Sequence, residues 1–215
     1  MVLTFRYEDK SRGGTTFSCN LETHRCKAKN KDGKECRRQV TIGLPFCWYH
    51  LQRDAHVKIK DSRWGKGLFA WDPSNTNKKN ARIDRTKTVF EEGDNIGKYS
   101  GERVTARENT RRYGKKTGPY ALGHNKAGEG EDAACKRSFP ALVNHGQGNE
   151  QNAQLLSHRE NARSKYEGWI QATKPIKNGD EILASYKQKG RSLYRFNEPN
   201  VSYSTKYQKN HRRRK

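Results

Sequence analysis

Three cysteines and a histidine stand close together in "RCKAKNKDGKECRRQVTIGLPFCWYHL": Cys26, Cys36, Cys47 and His50. Cys47 and His50 form a C-x-x-H knuckle whose spacing lets both side chains converge on one ion. Cys26 and Cys36 flank a turn at Gly33 that can fold back on itself. Three thiolates and an imidazole suit tetrahedral zinc, and four protein ligands leave no open position, so the predicted site is structural. Cys19 and His24 are alternative donors. Four of the five cysteines fall in the first quarter of the chain and Cys135 stands alone, a distribution that points to metal ahead of disulfides.

A second group of residues has the types a small-molecule site needs. In "LVNHGQGNEQNAQLL" (142–156) an apolar step ends at Asn144-His145 and opens a polar run, as at the rim of a pocket. In "WGKG" the glycines Gly65 and Gly67 let backbone groups approach a ligand that any Cβ would repel.

These residues need a scaffold, and the segments around them are strand-like. "HVKIK", "GLFAW", "DNIGKYSG", "FPALVNH", "AQLLS", "EGWIQATK" and "EILASY" are short and rich in β-branched or aromatic residues, with turns such as "NGDE" between them. No helical apolar period persists, so the expected fold is mostly β. Three regions are expected: a zinc-binding module at 1–55, a mostly-β domain at 56–190, and an aromatic and basic tail at 191–215. The tail ends in "KNHRRRK", which reads as a nuclear-import signal, a nucleic-acid contact or a frayed terminus.

Composition narrows the partners. Lys and Arg number 45 against 23 Asp and Glu, a net charge of +22. Such a field attracts polyanions, which points to nucleic acid or chromatin. No apolar run reaches the roughly 20 residues of a membrane span, and "MVLTFRYEDK" lacks the apolar centre of a secretory signal. The expected protein is soluble and intracellular, with no membrane partner.

The cysteine-rich stretch resembles small zinc modules of large DNA viruses over about thirty residues. Five further segments resemble the SET-domain lysine methyltransferases in type and order: "SRWGKGLFAW" (62–71), "EGDNIGKYSGERV" (92–104), "GPYALG" (118–123), "LVNHG" (142–146) and "ATKPIKNGDEILASY" (172–186). Compactness, and the lack of a cysteine cluster after the core, make the chain most similar to the viral members. Two departures stand out. "NHGQGNEQN" is two residues longer than the family's Asn-His segment and lacks its Ser, Cys and Pro, and Ala141 replaces a common arginine. Asn152, which falls where the motif's final Asn would, is left outside the candidate site.

The resemblance implies a SET-domain fold of short sheets with a threaded, knot-like C-terminal segment, a topology no periodicity argument yields. It implies S-adenosylmethionine as cofactor, held by Trp64, Gly65, Lys66, Gly67, Tyr120, Asn144 and His145, with Lys66 facing the cofactor carboxylate. Tyr186 becomes the catalytic tyrosine and Tyr99 a wall of the lysine channel. The implied function is protein lysine N-methyltransfer, with histones as the leading substrate and the nucleus as the setting. A catalytically inactive SET-like module binding nucleic acid or chromatin is the alternative.

Three finer expectations follow. Tyr194 or Phe196 would close the channel. Glu91, Glu92, Asp94 and Glu102 would form an acidic groove for a basic substrate. Ala184, two before the catalytic tyrosine, and Leu155 and Leu156 on the next strand carry no hydroxyl to restrict the product, so di- or trimethylation is expected.

Overall fold

The computed structural model describes residues 2–9, 15–21, 24–40, 44–63, 65–75, 83–114, 118–124, 128–158, 165–188, 191–192 and 201–206. Strands dominate, as expected. The chain opens with β1 (Val2–Asp9) and β2 (Thr15–Leu21), an antiparallel pair, and continues into the two-residue strands β3 (His24–Arg25) and β4 (Gln39–Val40). Helix α1 (Trp48–Asp54) leads into the hairpin of β5 (Val57–Ser62) and β6 (Gly65–Ala70). After β7 (Thr88–Phe90) and β8 (Asn95–Tyr99) come β9 (Glu102–Thr105) and helix α2 (Ala106–Tyr113). Strands β10 (Ala121–His124) and β11 (Glu129–Asp132) complete a three-stranded sheet with β9.

The central sheet has the order β12-β16-β13-β14-β8, made from β12 (Asn144–His145), β13 (Ala153–His158), β14 (Glu167–Ala172) and β16 (Leu183–Ala184). A short strand, β15 (Ile176–Lys177), pairs instead with β7. β16 lies between β12 and β13 and runs parallel to both. Because β12 and β13 are consecutive, the connection 146–152 must cross over β16, and the C-terminal segment is threaded under it. Asn152 fastens this crossing. Its side chain accepts from Leu183 N–H (2.8 Å) and donates to Glu181 O (2.8 Å), while its own N–H reaches Leu183 O (3.0 Å).

Just upstream, the chain at 179–182 runs along β6, where Ala70 N–H donates to Asp180 O and Ile182 N–H to Leu68 O. Asn178, fully buried, holds the preceding turn by accepting from Asp72 N–H (3.1 Å). Strands β17 (Lys187–Gln188) and β18 (Arg191–Ser192) form a small antiparallel pair. The last described strand, β19 (Val201–Lys206), pairs with β1. Tyr194, Phe196 and the basic end fall outside the described residues.

One continuous apolar cluster joins Cys26, Cys36, Cys47, Leu44 and Leu51 to Val57, Leu68, Ile170, Ile176 and Ile182. The cysteine-rich module therefore shares its interior with the main β structure. A second cluster seats the β1–β2 hairpin, through Phe5, Tyr7 and Leu21, on Tyr113 and Ala134. Under α2, buried Asp132 accepts from Arg112 Nη1 (2.9 Å), Tyr113 Oη (2.7 Å) and Ala134 N–H (3.0 Å). Arg112 also pairs with Glu102 and Glu108, so the buried guanidinium is compensated on several sides.

Three sequence expectations give way here. Residues 139–142 of "FPALVNH" form a 3-10 turn, with Pro140 inside it, before β12 begins at Asn144. Two helices form where none was expected. α2 reads "ARENTRRY" and has almost no apolar stripe; it starts on a Thr105 side-chain cap to Glu108 N–H (3.1 Å) and is held by Arg112 and Tyr113. The third correction concerns the cysteines, for Cys19 and Cys135 form a disulfide with a Cα separation of 5.9 Å. Cys19 is thereby removed from the candidate metal donors.

That bridge closes a loop with a sequence separation of 116. Chain entropy alone assigns such a loop about 5 kcal/mol, and measured bridges typically give about 2–4. A dithiol reductant is therefore expected to lower the melting temperature by about 5–15 °C at saturating zinc. A Cys19→Ala/Cys135→Ala double variant should melt at the lower temperature with or without reductant.

Candidate functional site

The threading brings together residues that are far apart in sequence. Tyr186, two residues past β16, donates its backbone N–H to His145 Nδ1 (3.0 Å), and its hydroxyl donates to Val143 O. The two rings lie 5.5 Å apart. His145 is buried, so its imidazole serves as a fixed acceptor that sets where Tyr186 leaves the sheet. Burial, and then the Glu181 carboxylate, push the Tyr186 phenol well above its ordinary pKa. The hydroxyl stays protonated at any working pH, which makes it a hydrogen-bond donor and excludes it as a base.

Asn144 points the other way. Its Nδ2 donates to Glu181 Oε1 (2.9 Å) and to Lys66 O (3.3 Å), which joins β12 to the glycine-rich edge of β6. A Cβ at Gly67 would displace the Glu181 carboxylate, overlapping its Oε1, and would lie 3.0 Å from Asn144 Nδ2. Gly65 has φ +99°, a backbone conformation that side chains disfavour. Lys66 is exposed and its ammonium pairs with Asp61. Trp64 lies outside the described residues. Glu181 is the residue that sequence reasoning missed in this corner. It stands within the matched "NGDE" segment, but only its contact with Asn144 gives it a role.

Tyr186 also borders a cavity of about 490 Å3. Tyr99, Tyr120 and Tyr186 line it, together with Val143, Leu155 and Ile170. Tyr99 is buried and donates its hydroxyl to Tyr120 O (2.7 Å). The Tyr120 ring meets Phe5 edge-on (centroids 6.0 Å apart) and lies under the Arg137 guanidinium (4.5 Å), so the N-terminal hairpin braces the cavity wall. Tyr186 thus lines the cavity and is fixed through its main chain to His145, the neighbour of Asn144, while the Glu181 carboxylate is close enough to influence its phenol.

The carboxylates beside the cavity differ from the expected ones. Glu129 and Glu131 line it, each facing Arg103, at 3.6 and 3.7 Å. Glu102 is engaged by Arg112, and Glu91, Glu92 and Asp94 sit at the turn before β8, at the far end of the strand from Tyr99. Ala184 is fully buried in the sheet, whereas Leu155, Leu156, Ser157 and Ser185 reach the cavity.

The metal-donor set converges as predicted. The ligand atoms of Cys26, Cys36, Cys47 and His50 all lie within 4.8 Å of one another, and all four residues are buried. His50 Nδ1 is 3.4 Å from Cys26 Sγ and 3.3 Å from Cys47 Sγ. A tetrahedral zinc with bonds of about 2.3 Å to sulfur and about 2.0 Å to nitrogen has S···N edges of about 3.5 Å, so the set fits the ion. Burial, and then the nearby Arg53 charge, hold the His50 imidazole below its ordinary pKa, in the neutral form a metal requires. Burial raises the Cys26 thiol. Burial acts the same way on Cys47, but hydrogen bonds from His50 N–H and Cys26 outweigh it and lower that thiol.

No protein-family profile matches the sequence, and no curated protein does. Among solved structures the chain is similar to an active polycomb repressive complex 2 in the stimulated state, at 23% identity and a TM-score of 0.47, over 61% of this chain and 15% of that one. It is similar also to a ctPRC2 in an autoinhibited conformation bound to S-adenosylmethionine, at 23% identity and a TM-score of 0.47, over 64% and 16%. A third is the polycomb repressive complex 2 of Chaetomium thermophilum, at 22% identity and a TM-score of 0.46, over 64% and 16%. The chain spans about a sixth of the length of each of these matches.

Proposed function

We propose that the protein is an S-adenosylmethionine-dependent protein lysine N-methyltransferase that acts on a basic, lysine-containing segment, with histone tails as substrate and the nucleus as its setting. The observation that carries the reading is the position of Tyr186. It lines an aromatic cavity of a size to take a lysine side chain and is held by His145, next to the Asn144–Glu181 pair at the glycine-rich edge of β6, which we assign to a charged cofactor.

The cofactor would be held by the backbone of Gly65–Gly67 with Asn144 and Glu181, whose carboxylate suits a cationic amine or sulfonium. Bound there, it supplies an electrophilic methyl group. Free lysine has a pKa of ~10.4, so roughly one part in 2,500 is neutral at pH 7. The apolar and aromatic walls favour the neutral amine by desolvation. Tyr99 and Tyr186 orient it, and alignment supplies most of the rate. Glu129 and Glu131 share the single cation Arg103, which leaves one net negative charge beside the cavity for a basic peptide within a chain of net charge +22.

The test is transfer of a labelled methyl group from the cofactor to core histones and nucleosomes, followed by mapping of the modified lysine. Absence of transfer to any lysine substrate, by protein that binds the cofactor, would end the enzymatic reading in favour of a non-catalytic binding module.

The product is expected to pass beyond one methyl. Ala184 offers no hydroxyl, Leu155 and Leu156 offer none, and the Tyr99 and Tyr186 hydroxyls are committed to main-chain carbonyls. The expectation rests on those positions; Ser157 and Ser185 also bring hydroxyls to the cavity, and a water held by either would stop the reaction at one methyl. Mass spectrometry of a peptide taken to completion with excess cofactor reads the outcome, and a reaction halting at monomethyl-lysine contradicts it.

A further inference from the structure

The metal module carries a surface that the methyl-transfer reading does not use. Trp48, at the start of α1, is the large apolar side chain that stands out to solvent among the described residues, at 55% exposure. Arg38 places its guanidinium 5.2 Å from the Trp48 ring centre and 4.7 Å from that of Tyr49. Two neighbouring charges are matched, Lys34 by Asp32 and Arg53 by Asp54.

The β3–β4 ribbon concentrates positive charge. Its register pairs Arg25 with Gln39 and Lys29 with Glu35, which sets Lys27 beside Arg37. Cys26 and Cys36 turn inward to the metal cluster, while Arg25, Lys27, Lys29, Lys31, Arg37 and Arg38 are all exposed. Residues 24–54 hold eight Lys and Arg against three Asp and Glu. Like charges opposed on a ribbon destabilise it unless an anion lies between them. Here the four-donor cluster fixes the ribbon beneath them.

We infer that this ribbon and Trp48 form a binding surface for single-stranded nucleic acid. The cations track the phosphates, and a base stacks on the exposed indole, whose contact with Arg38 adds a cation–π component. A duplex withholds its base faces from such a ring. A membrane would need a wider apolar face than a single indole provides.

The test uses the full zinc-loaded chain and a fluorescently labelled 20-nucleotide single strand, titrated at several salt concentrations. Trp48→Ala is expected to weaken binding about tenfold at fixed salt. Lys27→Glu/Arg37→Glu is expected to lower the slope of log affinity against log salt by about 1.4, two phosphate contacts at about 0.7 each. Lys136→Glu/Lys165→Glu, an equal change of charge away from the ribbon, should leave the slope unchanged. Zinc content and melting temperature, measured on every variant, confirm that the module is intact. Trp48→Ala binding as tightly as the native chain overturns the inference. So does a ribbon reversal indistinguishable from the control reversal, or a preference for phosphatidylserine vesicles over the single strand.

Discussion

Tyr186→Phe is expected to abolish most methyl transfer, by about a hundredfold or more, while the protein still folds and binds cofactor. The substitution removes one oxygen and leaves the ring, so the packing against His145 persists. What disappears is the hydroxyl held at Val143 O, at the cavity wall. With its proton given to Val143 O, the phenol oxygen is a fixed acceptor for the amine on which positive charge develops, and losing one preorganised polar contact to a developing charge costs other enzymes about 10²–10³ in kcat. Leaving Val143 O without that donor costs about 1–3 kcal/mol of stability, which a melt will register as a modest shift. His145→Ala makes the contrast. It deletes the acceptor for Tyr186 N–H and opens the wall beside Asn144, so cofactor affinity should fall together with turnover. Because burial keeps the Tyr186 phenol protonated, the native rate should climb with pH as the substrate amine deprotonates, with no downturn from this residue near neutrality. Unchanged turnover in Tyr186→Phe would remove Tyr186 from the role given to it.

Removing the metal should have the largest effect on stability. Elemental analysis is expected to give one zinc per chain, and Cys47→Ser to lose most of it. Apparent binding energies at such four-ligand sites are about 10–16 kcal/mol, comparable to or larger than the total stability of an ordinary domain, about 5–15 kcal/mol. Cys26, Cys36 and Cys47 also belong to the apolar cluster that continues through Leu51, Val57 and Leu68 to Ile182. A chelator should therefore do more than loosen the N-terminal module. The unfolding transition of the β structure should move with it, and activity should fall as that transition is crossed. A reduced, metal-free protein that melts at the native temperature would show the site as drawn to be wrong.

The four-donor set was legible because all its residues sit within one short stretch and cysteine is scarce elsewhere in the chain. The strands around Tyr99 and Gly67 were legible for a similar reason, since apolar pattern and turn residues act locally. What stayed hidden depends on contacts between distant segments. Cys19 and Cys135 carry no local sign of one another, and their pairing exists because the β1–β2 hairpin docks beside Ala134. α2 has almost no apolar stripe to announce it; its buried face is Tyr113 and Arg112, the latter paid for by three carboxylates in space. Asn152 looked like a displaced motif residue in an irregular insertion, yet it makes three hydrogen bonds across the threading. Glu181 lay inside a matched segment without a role until Asn144 was seen beside it. The threaded order itself came only from a resemblance.

That threading constrains the history of the molecule as well as its shape. β16 is hydrogen-bonded on both edges by strands joined through 146–152, so it has no free side from which to peel away. To leave, the segment must draw everything after Ala184 back beneath the connection, or the connection must open first. β13, β14 and β8 can pair as an antiparallel sheet without it, whereas β16 needs its slot to exist beforehand. Assembly is then a matter of sequence in time, with the sheet formed early and the tyrosine delivered late. A chain caught with 146–152 closed too soon would carry a nearly complete sheet and an empty slot, and Tyr186 would be left outside.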